Sequence, residues 1–562
     1  MTPVSTPSLL RTPVAAALLL AAMQAQAYQA IPNAGSILQQ QKPVAPPAPQ
    51  QSRPPLQIAP GVASGLPASA PFVIKSIRIV GNTAFPTATL QALVADATGT
   101  TSTLPQLEQL AARITAYYRD HGYPLSRAIV PAQTIADGQV TLQVVEARYG
   151  QVRVNNSSQV NDNLLKATLA PLVPGQGIAG DPLDRALLLL ADVPGVAVQA
   201  VIKPGAEVGA ADLEVATTHK PATFASVVLD NGGNRYIGRA RVGVTGFVTN
   251  PLHHGDVLDV GLLSTGDGMA YGRLGYETLL TGQGTRAGLA YSKIHYELQG
   301  DVEDLDASGT AGVASAWIKH PLLRSRDANL YAQFEYDAKR LRDRIGVLDT
   351  RTDRHLGNWV VSLNGDVRDT LLGGGVSAWS VGWTRGKTRF DDAQAELFDA
   401  ATAQTRGSFS KWNANASRLQ RLGASDTLYL NLGLQWANRN LDSAEKMTIG
   451  GPYTVRAYDI GAVSGDSGYL ASAEWRHDLG AVATGSVQAT AFIDTARVKI
   501  NRDTWTIGEN TARLSGAGVG LAWSGPDAWR ASLAIATPIG SEPATLGRQS
   551  SVRAWVTASK SF

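Results

Sequence analysis

Charged and polar side chains alternate with apolar ones in two stretches near the C-terminus of this 562-residue chain. In residues 487–494 the alternation ends at Asp494, and in residues 471–479 it includes Glu474 and Arg476. Because successive side chains of a β-strand point to opposite faces, each stretch predicts a strand with one wet and one apolar face. The residues on the wet face are Gln488, Thr490, Phe492 and Asp494 in one strand and Ser472, Glu474, Arg476 and Asp478 in the other. By position alone, such carboxylates and guanidiniums line a polar surface.

Other reactive groups are few or poorly spaced. Ser, His and Asp occur, but without the G-x-S-x-G sequence of a hydrolase nucleophile. The eight His and four Met show no H-E-x-x-H spacing, and the adjacent His253 and His254 fit a solvated loop better than a metal site. The chain has no Cys, and its net charge of +3 gives no support for nucleic-acid binding. The sequence therefore predicts no enzyme, no cofactor and no bound metal.

Alternation of apolar and polar residues recurs throughout residues 220–562. It is evident in residues 237–248 and 427–436, and again in residues 551–562, which end on Phe562. At about 20 residues per strand and connection, this region predicts a transmembrane antiparallel β-barrel of about 16 strands, although 14 or 18 would fit equally well. A soluble β-sandwich would also alternate, but the length of the β-only region disfavours it. The predicted fold class is therefore mainly β.

The first 71 residues divide into three segments. Residues 1–27 have the pattern of a signal peptide, with Arg11, a short apolar stretch and a small-x-small site at Ala25 to Ala27. Residues 28–42 include Asn33, which can cap a short helix. Residues 43–71 are dense in Pro, Ala, Gln and Ser and predict an extended, mobile linker. A short helix on a long tether predicts a removable plug for the barrel lumen.

Two small α+β domains are predicted between the linker and the barrel. Residues 72–148 read as strand, helix, helix, strand, strand, with Asp137-Gly138 as a hairpin signal between the last two strands. Residues 149–219 repeat this βααββ order more loosely. A repeat of about 70 residues predicts two tandem copies of one small domain.

Two short motifs and one domain segment resemble a known family. Residues 450–458, GGPYTVRAY, resemble the GGP-x-x-VRGY loop motif of two-partner secretion transporters (TpsB proteins), a branch of the outer-membrane protein assembly superfamily. The matching loop positions are Gly450, Gly451, Pro452, Val455, Arg456 and Tyr458. Residues 492–496, FIDTA, resemble the barrel-strand motif F-x-D-x-G of the same superfamily, and residues 122–147 are similar to the family's first POTRA domain. Ala457 and Ala496 stand where the family has Gly, which matters if the backbone needs a positive φ or a close approach.

The resemblance implies roles for individual residues. In the family, the loop arginine lies at the tip of a long extracellular loop folded back into the barrel and pairs with the strand aspartate. Here this implies a pair between Arg456 and Asp494, since a guanidinium and a carboxylate match bidentately. It also implies substrate recognition by the first POTRA domain, with Gln133 and Tyr123 as candidates. The terminal Phe562 resembles the signal read by the barrel-assembly machinery.

The function implied by the resemblance is secretion. The protein is expected in the outer membrane, in contact with outer-membrane lipid, with its POTRA domains in the periplasm and no nucleic acid as a partner. These domains would bind one large exoprotein through its N-terminal secretion domain by β-augmentation, and the barrel of a monomer would carry it to the cell surface. The exoprotein would be an adhesin, a haemolysin or a contact-dependent inhibition toxin. Two alternatives are a barrel-assembly or insertion factor of the same superfamily and a passive porin.

Overall fold

The structure is a computed structural model that describes residues 31–41, 56–58, 69–220, 223–482, 484–541, 543, 546 and 550–562. The predicted signal peptide, residues 1–27, lies outside the described residues, as does most of the predicted linker. The first described elements are the helix α1 (Ala34–Gln40) and the strand β1 (Leu56–Ile58). No helix within the described ranges is long and apolar enough to cross a membrane.

The first α+β unit contains the predicted strand, two helices and two further strands, and it adds two short paired strands. Its elements are β2 (Phe72–Val73), β3 (Ser76–Val80), α2 (Thr87–Ala92), β4 (Thr101–Ser102), α3 (Leu104–Asp120), β5 (Arg127–Ile129) and β6 (Gln139–Val145), of which β2 and β4 are the added pair. Helix α3 begins at a capping box formed by Thr103 and Gln106. It buries Leu107, Leu110, Ala111, Ile114 and Tyr118, which are spaced three or four residues apart, against the sheet β3-β6-β5.

One carboxylate ties the first unit together. Glu146 accepts hydrogen bonds from the backbone N–H groups of Thr83 (2.6 Å) and Ala84 (2.8 Å), from the Thr83 hydroxyl and from the Tyr118 hydroxyl (2.8 Å). Burial alone would raise the pKa of Glu146, but these donors hold that pKa below its ordinary value. Burial, together with the contact with Glu146, raises the pKa of Tyr118. The turn after β3 is thereby fixed to α3.

The second α+β unit has a sheet of four strands. Its own elements are β7 (Arg148–Ser157), α4 (Asp162–Leu169), α5 (Gly180–Ala191), β8 (Val196–Pro204) and β9 (Ala210–His219). The sheet order is β1-β8-β9-β7, because Leu56 to Ile58 pair in parallel with Ala200 to Ile202 of β8. Part of the predicted mobile linker is therefore a strand, and it covers one edge of this sheet.

Sixteen strands of the described chain close into an antiparallel barrel, in the order β10 to β20 and then β23 to β27. The elements of this region are β10 (Thr223–Asp230), β11 (Arg241–Thr249), β12 (Val257–Ser264), β13 (Met269–Leu279), β14 (Arg286–Glu297), β15 (Ala307–Arg324), β16 (Ala328–Ile345), β17 (Thr350–Asp369), β18 (Gly375–Phe390), α6 (Ala393–Ala401), β19 (Gly407–Arg421), β20 (Asp426–Ala437), β21 (Met447–Ile449), β22 (Val463–Gly465), β23 (Ser467–Val482), β24 (Gly485–Lys499), β25 (Thr511–Ser524), β26 (Trp529–Pro538) and β27 (Arg553–Ser561). Pairing of β27 with β10 closes the ring. The predicted fold class is confirmed.

One strand predicted from the sequence agrees with the structure, and another begins later than predicted. β20 exposes Leu430, Leu432, Leu434 and Trp436 and buries Gln435, as the alternation in residues 427–436 predicts. The strand predicted from residue 237 is wrong at its beginning, because β11 starts only at Arg241. Gly238 has φ +95°, which ends the extended conformation, and Ile237 is buried inside the barrel.

The second α+β unit docks on turns at one end of the barrel. Arg324 forms a bidentate ion pair with Asp192 (2.7 and 2.9 Å), and Arg326 pairs with Asp184 (2.6 Å). Gly282, in the turn between β13 and β14, lies so close to the backbone of Ala167 that a side chain would not fit. This end of the barrel therefore faces the α+β units, and the connections β16–β17, β18–β19 and β20–β23 lie at the other end.

Candidate functional site inside the barrel

The connection between β20 and β23, residues 438–466, folds back into the barrel, and we call it the lumen loop. It contains the short hairpin of β21 and β22 and the GGPYTVRAY sequence. Its residues Val455, Ala457 and Tyr458 are fully buried, in a cluster that includes Phe492 and Ala496 of β24. The loop tip thus packs on the inner wall of the barrel.

Two glycines shape the loop. Gly450 and Gly451 have φ +98° and +109°, a region that residues with a Cβ rarely adopt. A Cβ at Gly450 would also overlap the carbonyl oxygen of Asp459. The N–H of Gly451 donates to the carbonyl of Tyr458 (3.1 Å), which closes the loop on itself. Pro452 follows, and its ring approaches Gly232 in the connection between β10 and β11.

Arg456 and Asp494 form an ion pair at the loop tip. Arg456 donates from Nε to Asp494 Oδ2 (2.9 Å) and from Nη2 to Oδ1 (2.9 Å), and its backbone N–H donates to Oδ2 (3.1 Å). Asp494 is 1% exposed. Removing one partner of a buried ion pair typically costs about 3–5 kcal/mol, because the other charge is left buried and unpaired.

Further groups complete the environment of this pair. Glu474 accepts from Arg456 Nη1 (2.6 Å), and the Ser472 hydroxyl donates to Asp494 Oδ1 (2.7 Å). The guanidinium lies 3.3 Å from the ring centroid of Phe492, a cation–π contact. Trp555 of β27 donates from Nε1 to the carbonyl of Arg456 (2.7 Å). The alternation in sequence placed Ser472, Glu474 and Phe492 on the wet face, whereas nothing in the sequence singled out Trp555.

The two alanines that replace family glycines are accommodated without strain. Neither Ala457 nor Ala496 has a positive φ. Both are fully buried in the cluster at the loop tip. The Cβ of Ala457 faces Gly516 of β25, where a second Cβ would overlap it. The space for the methyl group is therefore supplied by the barrel wall.

A second ionic contact ties the loop to the strands that close the barrel. Asp459 Oδ1 accepts from Arg239 Nη1 (2.6 Å) and from Arg553 Nη1 of β27 (2.5 Å). Arg239 lies in the connection between β10 and β11. Sequence reasoning missed this contact, because the alternation in residues 551–562 put Arg553 on the wet face without indicating a partner.

A third set of ionic contacts holds the beginning of the loop. Asp442 pairs with Arg354 of β17 (2.5 Å), and Glu445 pairs with Lys339 of β16 (2.6 Å) and Lys411 of β19 (2.9 Å). Glu445 is 2% exposed, and its buried charge is compensated by these two cations. The loop is thus held to the wall at its beginning and at its tip by side chains.

Helix α1 lies inside the barrel beside the lumen loop. Asn33 caps it, accepting from the N–H of Ser36 (3.0 Å). Ala34 and Ile37 are fully buried among residues from barrel strands and from the loop, including Tyr296, Leu341 and Ala444. The apolar face of the helix is therefore covered by the lumen wall.

Polar contacts join α1 to both the wall and the loop. The N–H of Ala34 donates to Asp343 of β16 (2.7 Å), and Ser443 of the loop donates to Asn33 Oδ1 (2.8 Å). Gln39 donates to the carbonyl of Ala444, and Asn234 donates to Gln40 Oε1 (3.0 Å). These contacts can be broken without disrupting the backbone hydrogen bonds between the barrel strands, because each involves a side chain.

Three other predicted site residues have partners within the chain. Gln133 binds the backbone of Thr141, in the central strand β6, through both amide atoms (2.8 Å each). Tyr123 packs against the ring of Phe85 (centroids 5.6 Å). Phe562 pairs with β10 through its N–H, which donates to the carbonyl of Ala225 (2.8 Å), while 69% of the residue is exposed. Within the described ranges, no group of three or more His, Cys, Asp or Glu residues could hold a metal ion.

Comparison with known protein families shows which family this chain belongs to. Residues 209–523 match the family described as haemolysin secretion/activation protein ShlB/FhaC/HecB. The chain belongs to this family. Residues 72–147 match the ShlB-type POTRA domain, so the first α+β unit is a POTRA domain. The predicted family is confirmed.

Individual relatives span most of the chain. The heme/hemopexin transporter protein HuxB of Haemophilus influenzae (strain 86-028NP) is 26% identical over 441 residues, which cover 78% of each chain. The outer membrane transporter CdiB of Dickeya dadantii (strain 3937) is 23% identical over 425 residues, covering 73% of this chain and 72% of CdiB. The solved structure of CdiB from Escherichia coli matches with a TM-score of 0.69 at 20% identity, covering 90% of this chain and 93% of that chain.

The family and its POTRA domain give the function in general terms. This ShlB/FhaC/HecB family member is an outer-membrane transporter of two-partner secretion, whose POTRA domain lies in the periplasm. The predictions of function and location are confirmed at this level. The barrel end that contacts the second α+β unit is consequently the periplasmic end, and the lumen loop belongs to the extracellular end.

Proposed function

We propose that this transporter secretes one large exoprotein through its barrel, and that α1 and the lumen loop must move before the exoprotein enters. The observation that carries this proposal is the occupancy of the lumen: α1 and the loop tip both fill it, and both are held by side-chain contacts. Neither belongs to the ladder of the sixteen described barrel strands. The lumen can therefore be cleared while the barrel remains closed.

The exoprotein is expected to be an adhesin, a haemolysin or a contact-dependent inhibition toxin with an N-terminal secretion domain. The name of HuxB adds a fourth class to this set, an exoprotein that handles heme or hemopexin. We propose that the transporter acts as a monomer, because one chain closes the barrel. The Phe562 side chain, exposed beside the closing strand, supports a role as the signal for the barrel-assembly machinery.

Recognition in the periplasm requires a free sheet edge, since β-augmentation adds a strand from the partner. One edge of the second α+β unit is already covered by β1. We propose that β1 occupies the sheet edge to which a segment of the exoprotein binds, and that this segment displaces β1. We also propose the domain boundaries 28–42 for the plug, 43–71 for the linker and 149–219 for the second POTRA domain.

Conductance of the full-length transporter in planar bilayers tests the plug. Deleting residues 31–41 should raise the single-channel conductance, because it removes the helix from the lumen. Ile31→Ala is the matched control, since this residue is 44% exposed and lies outside the helix, and it should leave the conductance unchanged. Equal conductance of the deletion variant and the wild type would overturn the proposal that α1 plugs the pore.

A further inference from the structure

A group of basic side chains lies on the outer surface of three neighbouring barrel strands, and we call it the cationic patch. Its members are Arg340, Arg342 and Arg344 of β16, Arg351 and His355 of β17, and Arg385, Lys387 and Arg389 of β18. Arg340 is opposite His355 in the ladder, and His355 is opposite Arg389. At about 4.8 Å between strands, Arg340 and Arg389 are about 10 Å apart across the sheet.

The alternation of burial shows that the patch faces outward. Leu341, Arg354 and Thr388, which point the other way, are buried at 0%, 4% and 0% exposure. Arg340, Arg385 and the other arginines and lysine of the patch are exposed. The cations thus stand on the face that carries the lipid-facing residues lower on the same strands.

Aromatic residues lie directly below the patch. Tyr336 packs on Trp359 (ring centroids 4.4 Å), and Trp383 lies near Trp412 (6.5 Å). Aromatic girdles mark the membrane interfaces of transmembrane barrels. Arg340 comes twelve residues after Ala328, at the periplasmic end of β16, which corresponds to about 30 Å of height at a strand tilt of about 40° and a rise of about 3.3 Å per residue. The apolar band of such barrels is about 25 Å tall, so the patch lies at the headgroup level of the outer leaflet.

Most of the patch has no partner within the described chain. Arg351 pairs with Asp353 (2.9 Å), Arg342 lies 3.8 Å from the same carboxylate, and His355 contacts Asp391 (2.8 Å). The other five side chains form no hydrogen bond or ion pair with any described residue: Arg340, Arg344, Arg385, Lys387 and Arg389. Five cations thus face the same side with their charge uncompensated.

The surface between these cations is concave. Ala338 and Gly357 are opposite each other in the ladder, and Lys387 is next to Gly357 on the third strand. These small residues leave a groove of about 560 Å³, lined also by Tyr336, Trp359 and Arg385. The groove joins the aromatic girdle to the cations and has room for a headgroup.

We propose that the cationic patch binds the phosphate groups of a phosphorylated glycolipid in the outer leaflet. Arginine forks match phosphate oxygens bidentately, and several of them converge here. The acyl chains of the same lipid would lie along Phe334, Trp359 and Trp383, which continue the patch downward. The charged patch is continuous with an apolar face, which favours a lipid over a soluble polyanion. A soluble polyanion would contact the cations but would not contact the aromatic girdle. The inference does not depend on the proposed plug movement.

The test uses the full-length transporter in detergent micelles and native mass spectrometry. The probes are bis-phosphorylated lipid A and the same lipid after removal of its phosphates. The variant is Arg340→Gln with Arg389→Gln, and the matched control is Arg497→Gln with Arg513→Gln. Arg497 and Arg513 are exposed as well, and they lie opposite each other in the ladder of β24 and β25. Arg385→Gln with Lys387→Gln is a second, independent variant.

Wild type and control should retain the phosphorylated lipid, and each patch variant should bind it about tenfold more weakly, because two charge-assisted contacts are lost. Wild type should also prefer the phosphorylated over the dephosphorylated lipid by about tenfold. Equal affinity of patch variants and control would overturn the proposal, as would equal binding of both lipids. Displacement of the lipid by inorganic phosphate or by a short DNA duplex would also overturn it, since it would show a site for free anions.

Discussion

Arg456 is the residue at which the lumen loop, two barrel strands and the closing strand meet. Its guanidinium contacts Asp494, Glu474 and the ring of Phe492, and its carbonyl accepts from Trp555. A lysine would not reproduce this arrangement, because a single ammonium group lacks the planar fork that binds Asp494 at two oxygens. The pair therefore fixes the orientation of the loop tip as well as its position.

We expect Arg456→Ala and Asp494→Ala to reach the outer membrane at normal levels yet fail to secrete the exoprotein. Arg456→Ala leaves Asp494 without a cation inside the barrel, at a cost of up to about 3–5 kcal/mol, and Asp494→Ala leaves Arg456 with Glu474 as its remaining carboxylate. The closed strand ladder is untouched in both variants. Secretion and outer-membrane abundance are measured in the same cells. Partial rescue by Arg456→Asp with Asp494→Arg would show direct contact. Wild-type secretion by both single variants would mean that the pair has no function in transport.

Gly516→Ala is expected to loosen the loop tip, because the new methyl would overlap the Cβ of Ala457. Overpacking of this kind typically costs about 1–3 kcal/mol. Proteolysis of the lumen loop in intact cells should increase. Adding Ala457→Gly should reverse part of the effect, since it removes the opposing methyl. If the double variant were cleaved as fast as Gly516→Ala alone, the contact with Ala457 would not be the cause.

The sequence predicts the residues whose positions depend on local alternation, but not the contacts between residues far apart in the chain. Strand parity places Asp494 on the wet face, since it depends only on neighbouring residues. The contact of Asp459 with Arg553 joins positions 94 residues apart and depends on how the loop folds, which periodicity does not encode. The same holds for Glu445, whose two lysine partners come from β16 and β19.

Among the elements of the N-terminal segment, the helix α1 is predicted by the sequence and the strand β1 is not. Helix α1 is evident from its cap residue Asn33 and its apolar positions. Strand β1 lies in a Pro-rich sequence with no alternation, and it forms because β8 presents an unpaired edge. Tertiary pairing, which local sequence does not show, therefore decides the structure of the linker.

The variant Gln57→Pro tests whether β1 competes with the exoprotein. A proline in the middle of the strand removes a backbone donor and should release β1 from β8. Affinity of the full-length transporter for the exoprotein's secretion domain should then rise several-fold. Gln57→Ala is the matched control, because the Gln57 side chain is exposed and the backbone donor is retained. Weaker binding by Gln57→Pro would show that β1 supports recognition instead of blocking it.

At the scale of the molecule, the barrel is closed by pairing of its first and last strands, and Phe562 extends that pairing by one residue. We expect removal of Phe562 to lower outer-membrane abundance more than it lowers secretion per assembled transporter. Phe562→Tyr retains an aromatic terminus and should assemble normally. Equal abundance with and without Phe562 would leave it only the role of an interfacial anchor.

We propose that α1 must leave the lumen before the exoprotein can pass. The chain has no Cys, so Asn33→Cys with Ser443→Cys introduces the only possible disulfide, between side chains that are in contact at 2.8 Å. Secretion of the exoprotein is measured with the pair oxidised and after reduction, with each single Cys variant as a control. We predict that the oxidised transporter does not secrete and that reduction restores secretion. Undiminished secretion through a fully cross-linked transporter would show that α1 does not need to leave the lumen.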